Sequence, residues 1–529
     1  MPILLHQLLT HACAFTPLAT AVVYKKTNLS YQCLDKLVCQ QAQALHSLHI
    51  KPGQRVAVYL PKQIETVSSF LAISKAGGVF VPINSVLKPA QVTYILNDCN
   101  VQLLITSKNR LQSLASGLAN CSDLQSVILV DTEEVPNIVL TQQLLNWQNF
   151  LAKADNTRVL PTVIDTDMAA ILYTSGSTGK PKGVVLSHRN LIAGAESVSE
   201  YLNITAKDRL LAVLPFSFDY GLNQLTSCLL QGACCVLLDY LLPRDVIIAL
   251  ETHKITGLAA VPPLWAQLAN LTWPASINTH LRYMTNSGGK MPKTLLTALR
   301  AKTPASQFFL MYGLTEAFRS TYLPPDQIDN RPDSIGKAIP NAEILVVRED
   351  GSLCDAHEPG ELVHRGALVS LGYWNDPIKT AERFKPSPVK CQGLPLPEIA
   401  VWSGDTVTQD EDGYLYFVGR KDDMIKTSGY RVSPTEIEEV IYASGFAKEA
   451  AAIGIEHETL GQAILVVISV NDADNFHDEQ ALINLCKTQL PSYMLPAKIK
   501  VLSLLPKNPN GKIDRKALAE TFANSFNHD

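Results

Sequence analysis

The chain has 529 residues, of which 47% are hydrophobic and 18% charged, with a formal charge of −4. That length exceeds a single core and predicts about two to four domains. The composition excludes a disordered chain, the charge gives nucleic acid no footing, and no apolar run is long enough to cross a membrane. Eleven cysteines, an odd number without a C-x-x-C pair, read as reduced thiols packed as small hydrophobes, which predicts a cytoplasmic protein.

The first residues, Met1-Pro-Ile-Leu-Leu-His-Gln-Leu-Leu, lack a basic leader and read as one face of a short helix. Apolar runs at Val56–Leu60, Val79–Ile83 and Val101–Ile105 read as buried strands. Helical segments at Ile64–Ala76 and Gln91–Asn97 alternate with them. That rhythm predicts an α/β fold with a parallel, doubly wound sheet. Residues 132–165 are polar and read as an irregular connection.

Next comes Tyr173-Thr-Ser-Gly-Ser-Thr-Gly-Lys-Pro-Lys-Gly183, between apolar runs that read as strands. The ten residues after Tyr173 hold three glycines, four hydroxyls and two lysines. Glycine lets backbone pass close to an anion, successive N–H groups make an anion-binding concavity, and the lysines add charge. The stretch therefore predicts a polyphosphate grip. It departs from a Walker loop, because Thr174 stands at the first glycine and Pro181 replaces the magnesium-binding hydroxyl.

Beyond it, a helix over Asn190–Leu202 and strands at Leu210–Pro215, Val236–Leu238 and Leu258–Val261 continue the rhythm. Two further strands end in polar turns, Asn286-Ser-Gly-Gly289 and Tyr312-Gly-Leu-Thr-Glu316. Ligands in α/β sheets sit at such carboxyl ends. From about Ile344 the pattern changes to short alternating strands with Asp-Gly turns, a small antiparallel β unit reaching to about 419. A charged turn at Gly419-Arg-Lys-Asp-Asp423 then marks a boundary, giving an N-terminal domain over 1–419 and a C-terminal α+β domain over 420–529.

The loop at 174–183, Tyr312-Gly-Leu-Thr-Glu316, Ser403-Gly-Asp405, Gly419-Arg420 and Asn510-Gly-Lys512 occur in an order that resembles the adenylate-forming superfamily. That superfamily comprises acyl-CoA synthetases, peptide-synthetase adenylation domains and luciferases. The resemblance implies a large N-terminal multi-sheet domain, a small mobile C-terminal domain, and ATP consumed to AMP and pyrophosphate. It implies that Thr174, Ser175, Gly176, Ser177, Thr178, Gly179 and Lys182 grip the pyrophosphate portion, with Gly288, Gly289 and Gly313 also at the nucleotide. Thr315 would contact the α-phosphate, Glu316 would hold Mg²⁺, and Tyr312 would lie against adenine. Asp405 would accept the ribose hydroxyls with support from Arg420, Lys512 would bridge the developing charge, and Asp422 would be the hinge.

Asp219 bears on which acid is used. It lies in the apolar stretch Pro215-Phe-Ser-Phe-Asp-Tyr-Gly221, where an unpaired charge costs several kcal/mol. An aspartate here resembles that of amino-acid-activating adenylation domains, which bind the substrate's α-ammonium; it is also placed to cap a helix over Tyr220–Leu230. The runs Leu214–Thr226 and Met311–Pro325 resemble free-standing enzymes that load proline onto a carrier protein. Asp219, Tyr220, Met311 and Ser320 would then line the substrate pocket, and the partner would be a phosphopantetheinyl carrier protein. Arg319 either meets an acidic substrate or points away. Leu314 stands where many carrier-loading relatives have proline, a feature shared with acyl-CoA synthetases, so a CoA ligase for a small acid is the alternative.

Overall fold

A computed structural model describes residues 1–174, 180–389, 393–420, 424–447, 449–470, 479–507 and 513–526. Among the described residues the strands form sheets of fourteen, seven and five members. The seven-stranded sheet runs in the order Gln143–Asn146, Ser126–Leu129, Val101–Thr106, Arg55–Tyr59, Val79–Pro82, Met168–Thr174, Lys182–Ser187. It is parallel up to Met168–Thr174, which then pairs antiparallel with Lys182–Ser187. The apolar runs at Val56, Val79 and Val101 are strands because both faces of a parallel sheet are covered.

The stretch 132–165 is not wholly irregular. It contains the edge strand Gln143–Asn146 and the short helix Trp147–Leu151, whose Trp147 and Phe150 are buried. Asn146 caps that helix, its side-chain oxygen accepting from Asn149 N at 2.8 Å. Four residues at a sheet edge bury too little to leave a period-2 signature.

The large sheet has a parallel core: Cys234–Leu237, Arg209–Ala212, Gly257–Ala260, Tyr283–Asn286 and Gln307–Tyr312. The β unit after Ile344 is continuous with it. Gln307–Tyr312 pairs antiparallel with Thr321–Leu323, then Ser334–Ala338 pairs with Leu415–Arg420 through Ser334 and Tyr416. The helices Tyr31–Ser47, Ile64–Lys75, His188–Tyr201 and Asp219–Gln231 lie in the layer between the two sheets, with Leu5–Phe15 packed against them. One core runs from Val56 and Phe80 through Leu34, Phe70, Leu191 and Leu225 to Leu211, Met284 and Phe308. In the last of these helices Asp219 through Leu229 are all buried, as for a helix covered on every side.

After Arg420 the chain leaves the large sheet and enters the five-stranded one at Ile425–Thr427. Helices Pro434–Ala443 and Glu479–Gln489 cover one face through Ile437, Ile441, Leu482 and Cys486. The helix Arg515–Thr521 packs Leu518 against the other face. Among the described residues no helix is long and apolar enough to cross a membrane.

Candidate active site

Carboxyl ends of strands from both large sheets open on one cavity of about 160 Å³. Thr174 ends its strand on the cavity wall and pairs across the hairpin with Lys182. Residues 175–179, and with them Ser175, Gly176, Ser177, Thr178 and Gly179, lie outside the described residues. Lys182 Nζ sits 5.2 Å from the Tyr373 ring centre. Burial, with Lys379 nearby, pulls its amine down to about 8 against the opposing pull of Glu316. An anion arriving beside the amine would pull it back up and favour its charged form.

On the large sheet, Tyr283–Asn286 ends in Ser287 and Gly288, both on the cavity wall. Gly288 has φ +79°, a conformation side chains rarely adopt, and a Cβ there would meet Val261 at 3.2 Å. Gly289 lies against Pro262 and its carbonyl accepts from Asn286 Nδ2 at 3.0 Å. Tyr312 ends the neighbouring strand, and its hydroxyl donates to Asp405 Oδ2. The sequence places these two side chains separately, at adenine and at ribose; the structure joins them. The backbone of Arg420 pairs with that of Asp405 in the strand ladder.

A short turn, Thr315–Ala317, follows Tyr312-Gly313-Leu314. Glu316 is buried, and its Oε1 accepts the Tyr373 hydroxyl at 2.7 Å. Its Oε2 takes no hydrogen bond from a described residue, and Glu316 lines the cavity. Among the described residues no three His, Cys, Asp or Glu side chains cluster as metal ligands. A cation at Glu316 would draw its other oxygens from water or from a bound phosphate, a ligand set that suits Mg²⁺.

Asp219 opens its helix one residue earlier than expected, and Phe218 is the cap position, without a side-chain cap. The Asp219 carboxylate is buried on the cavity wall, with Thr315 Oγ1 at 3.5 Å from Oδ1 and Arg319 Nη2 at 3.5 Å from Oδ2. Burial pushes its acid above the usual carboxylate range, and Arg319 opposes that shift. Arg319 lies over the Tyr220 ring at 4.5 Å. What turns Arg319 inward is Phe318, which adopts φ +53° and seats its ring against Gly194. Tyr220, Met311 and Ser320 are buried behind the cavity wall. Tyr220 bonds Thr285, Met311 Sδ accepts from Tyr201 at 3.0 Å, and Ser320 bonds His364 at 3.0 Å.

The C-terminal part supplies a wall of the same cavity through Lys426, Gly429, Tyr430 and Arg431. Sequence reasoning did not single these out, although the turn Ser428-Gly429 between the strands Ile425–Thr427 and Tyr430–Val432 is a signal of the same kind as the other glycine turns. Lys512 and Asp422 lie outside the described residues. The strand bridge between Lys507 and Ile513 and the 2.8 Å pair of Arg515 with Glu438 hold the chain on either side of 508–512.

The AMP-binding enzyme family matches residues 9–374, and the AMP-binding enzyme C-terminal domain matches residues 436–512. Tyrocidine synthase 1 of Brevibacillus parabrevis is 30% identical over 98% of this chain and 45% of its own length. The chain spans between 6% and 45% of the length of the first five curated relatives it matches. By contrast, the L-proline–[L-prolyl-carrier protein] ligase of Pseudomonas fluorescens is 30% identical over 98% of this chain and 99% of its own. A structure of an o-succinylbenzoate CoA synthetase double mutant from Bacillus subtilis superposes with a TM-score of 0.79 at 25% identity, covering 97% of each chain. The family match over residues 9–374 and the end-to-end relative agree with the cavity described above: the chain belongs to the AMP-binding enzyme family.

Proposed function

We propose that the chain adenylates an amino acid and passes the aminoacyl group to the phosphopantetheine thiol of a carrier protein. A substrate carboxylate oxygen attacks the α-phosphorus of ATP, the α–β phosphoanhydride bond breaks, and pyrophosphate leaves. The thiolate then attacks the acyl carbon, and AMP leaves. Catalysis of the first step is mostly positioning and charge neutralisation. Thr174 and Lys182, with 175–179, take the pyrophosphate portion, and Thr315 meets the α-phosphate. Gly288, Gly289, Gly313, Tyr312, Asp405 and Arg420 form the nucleoside side, and Lys512 is the bridging cation from the C-terminal part, with Asp422 as its hinge. Bound at Glu316 and the phosphates, Mg²⁺ would supply charge neutralisation.

The observation that carries the amino-acid reading is Asp219, a buried carboxylate on the cavity wall beside Thr315. A substrate whose carboxylate reacts at Thr315 brings its α-ammonium within reach of that anion. The narrower choice of L-proline is supported by the resemblance around Asp219 and by the prolyl-carrier ligase relative. A CoA ligase for a small carboxylic acid is the second reading, favoured by Leu314 and by the o-succinylbenzoate CoA synthetase likeness. ATP–pyrophosphate exchange across amino acids and their amine-free counterparts separates the two. Thiol transfer is then offered phosphopantetheinylated carrier or free CoA. Exchange with amino acids and loading of the carrier is expected; exchange confined to amine-free acids, with CoA as acceptor, contradicts the proposal.

A further inference from the structure

Arg319 is 2% exposed, yet no nitrogen of its side chain makes a hydrogen bond to a described residue. Nε and Nη2 are enclosed without a hydrogen-bond partner, and the contact to Asp219, at 3.5 Å, is an ion pair too long for a good hydrogen bond. A guanidinium has five N–H donors in a fixed fork, matched to the two oxygens of a carboxylate. Burying such a group with its donors unmade is strongly unfavourable unless something completes it. The group is held in place: its plane rests on Tyr220, whose hydroxyl is tied to Thr285. Arg319 lines the same cavity as Asp219 and Thr315, and a Cβ on Gly313 would lie 3.6 Å from its Nη1. So the acid-binding end of the cavity presents a fixed anion and a fixed cation side by side.

We propose that Arg319 is a specificity residue that selects an amino acid with a second carboxylate on a short side chain, the aspartate and glutamate class. This rests on the amino-acid reading above and replaces its narrower choice of proline. The α-ammonium meets Asp219, the side-chain carboxylate takes the Arg319 fork, and four charges then alternate in sign around the substrate. Proline fills the first of these places and leaves Arg319 with its donors unmade. The 3.5 Å separation of Asp219 and Arg319 requires the two substrate charges to be close, which suits a side chain of one or two methylenes.

The test is ATP–pyrophosphate exchange by the full-length protein with L-aspartate, L-glutamate, their amides asparagine and glutamine, L-proline, succinate and glutarate. An acidic amino acid is expected to exceed its amide in kcat/KM by roughly 30-fold or more, the range typical when one partner of a buried charge pair is removed. Arg319→Gln should erase that preference, Arg319→Lys should restore part of it, and both should keep the KM for ATP of the parent as the check on folding. Proline used better than either acidic amino acid, with Arg319→Gln leaving the ranking unchanged, would overturn the inference and leave the amino-acid reading standing. Succinate or glutarate used better than the matching amino acid would overturn the amino-acid reading itself, and the acidic-amino-acid class with it.

Discussion

At the scale of residues, the site is legible where chemistry restricts residue type and opaque where only direction decides. Asp219 stands out because a carboxylate in an apolar stretch needs a reason, and the structure buries it on the cavity wall. Arg319 was visible as a cation but not as a cation facing inward, since its direction depends on Phe318 adopting a positive φ that no motif announces. The bond between Tyr312 and Asp405 joins residues 93 apart and could not be read from either motif. Lys182 yields a prediction with a definite sign. Its amine is cationic below about 8 and neutral above, because burial outweighs the attraction of Glu316. Phosphate binding takes up a proton there, so the KM for ATP should rise as pH climbs through about 8, approaching tenfold per pH unit. Lys182→Arg, which keeps its charge, should flatten that rise; a flat profile to high pH in the unmodified chain would remove Lys182 from the phosphate grip.

At the scale of elements, strands with continuous apolar runs were legible, and those defined by a partner were not. Gly360–Gly366 and Ile399–Gln409 pair as expected for an antiparallel unit, but the continuity of that unit with the large sheet rests on the Ser334–Tyr416 register, which has no local signature. The segment carrying Thr315, Glu316 and Arg319 is closed by its own backbone bonds and braced from outside by the helix His188–Tyr201. A Cβ on Gly194 would stand 2.3 Å from Phe318 Cδ1, in a fully buried site. Gly194→Ala must therefore displace the ring that turns Arg319 inward, at a cost of about 1–3 kcal/mol. The expected result is a lowered first thermal transition and a ten- to hundredfold fall in kcat/KM for the acid, since small misplacements in an active site are amplified. Phe318→Leu in the same chain should recover part of both. Unchanged kinetics in Gly194→Ala would show that the turn does not depend on this contact.

At the scale of the whole molecule, the order of the parts was legible because five short motifs follow one another along the chain. The relation of the C-terminal part to the cavity was not. Lys512, the expected contribution from that part, lies outside the described residues, and the described cavity wall includes Lys426, Gly429, Tyr430 and Arg431. The two parts are joined there by Gln91 Nε2 donating to Glu436 Oε1 at 2.9 Å, while Tyr430 stacks on Tyr493 at 3.8 Å. Such contacts are between side chains from distant segments, and a single sequence carries no trace of them.

The central claim is that Asp219 holds the substrate's α-ammonium during adenylation. It is tested most directly by ATP–pyrophosphate exchange with the best amino acid and the same acid lacking its amine, in the unmodified chain and in Asp219→Ala. The unmodified chain should reject the amine-free acid, because Asp219 would be left without its cation. Asp219→Ala should lose about 2–5 kcal/mol with the amino acid, roughly 30- to several-thousandfold in kcat/KM, without a change in the KM for ATP. Its preference between the two acids should shrink to within about threefold. An unmodified chain that uses both acids equally, or a variant that keeps the original preference, would contradict the claim.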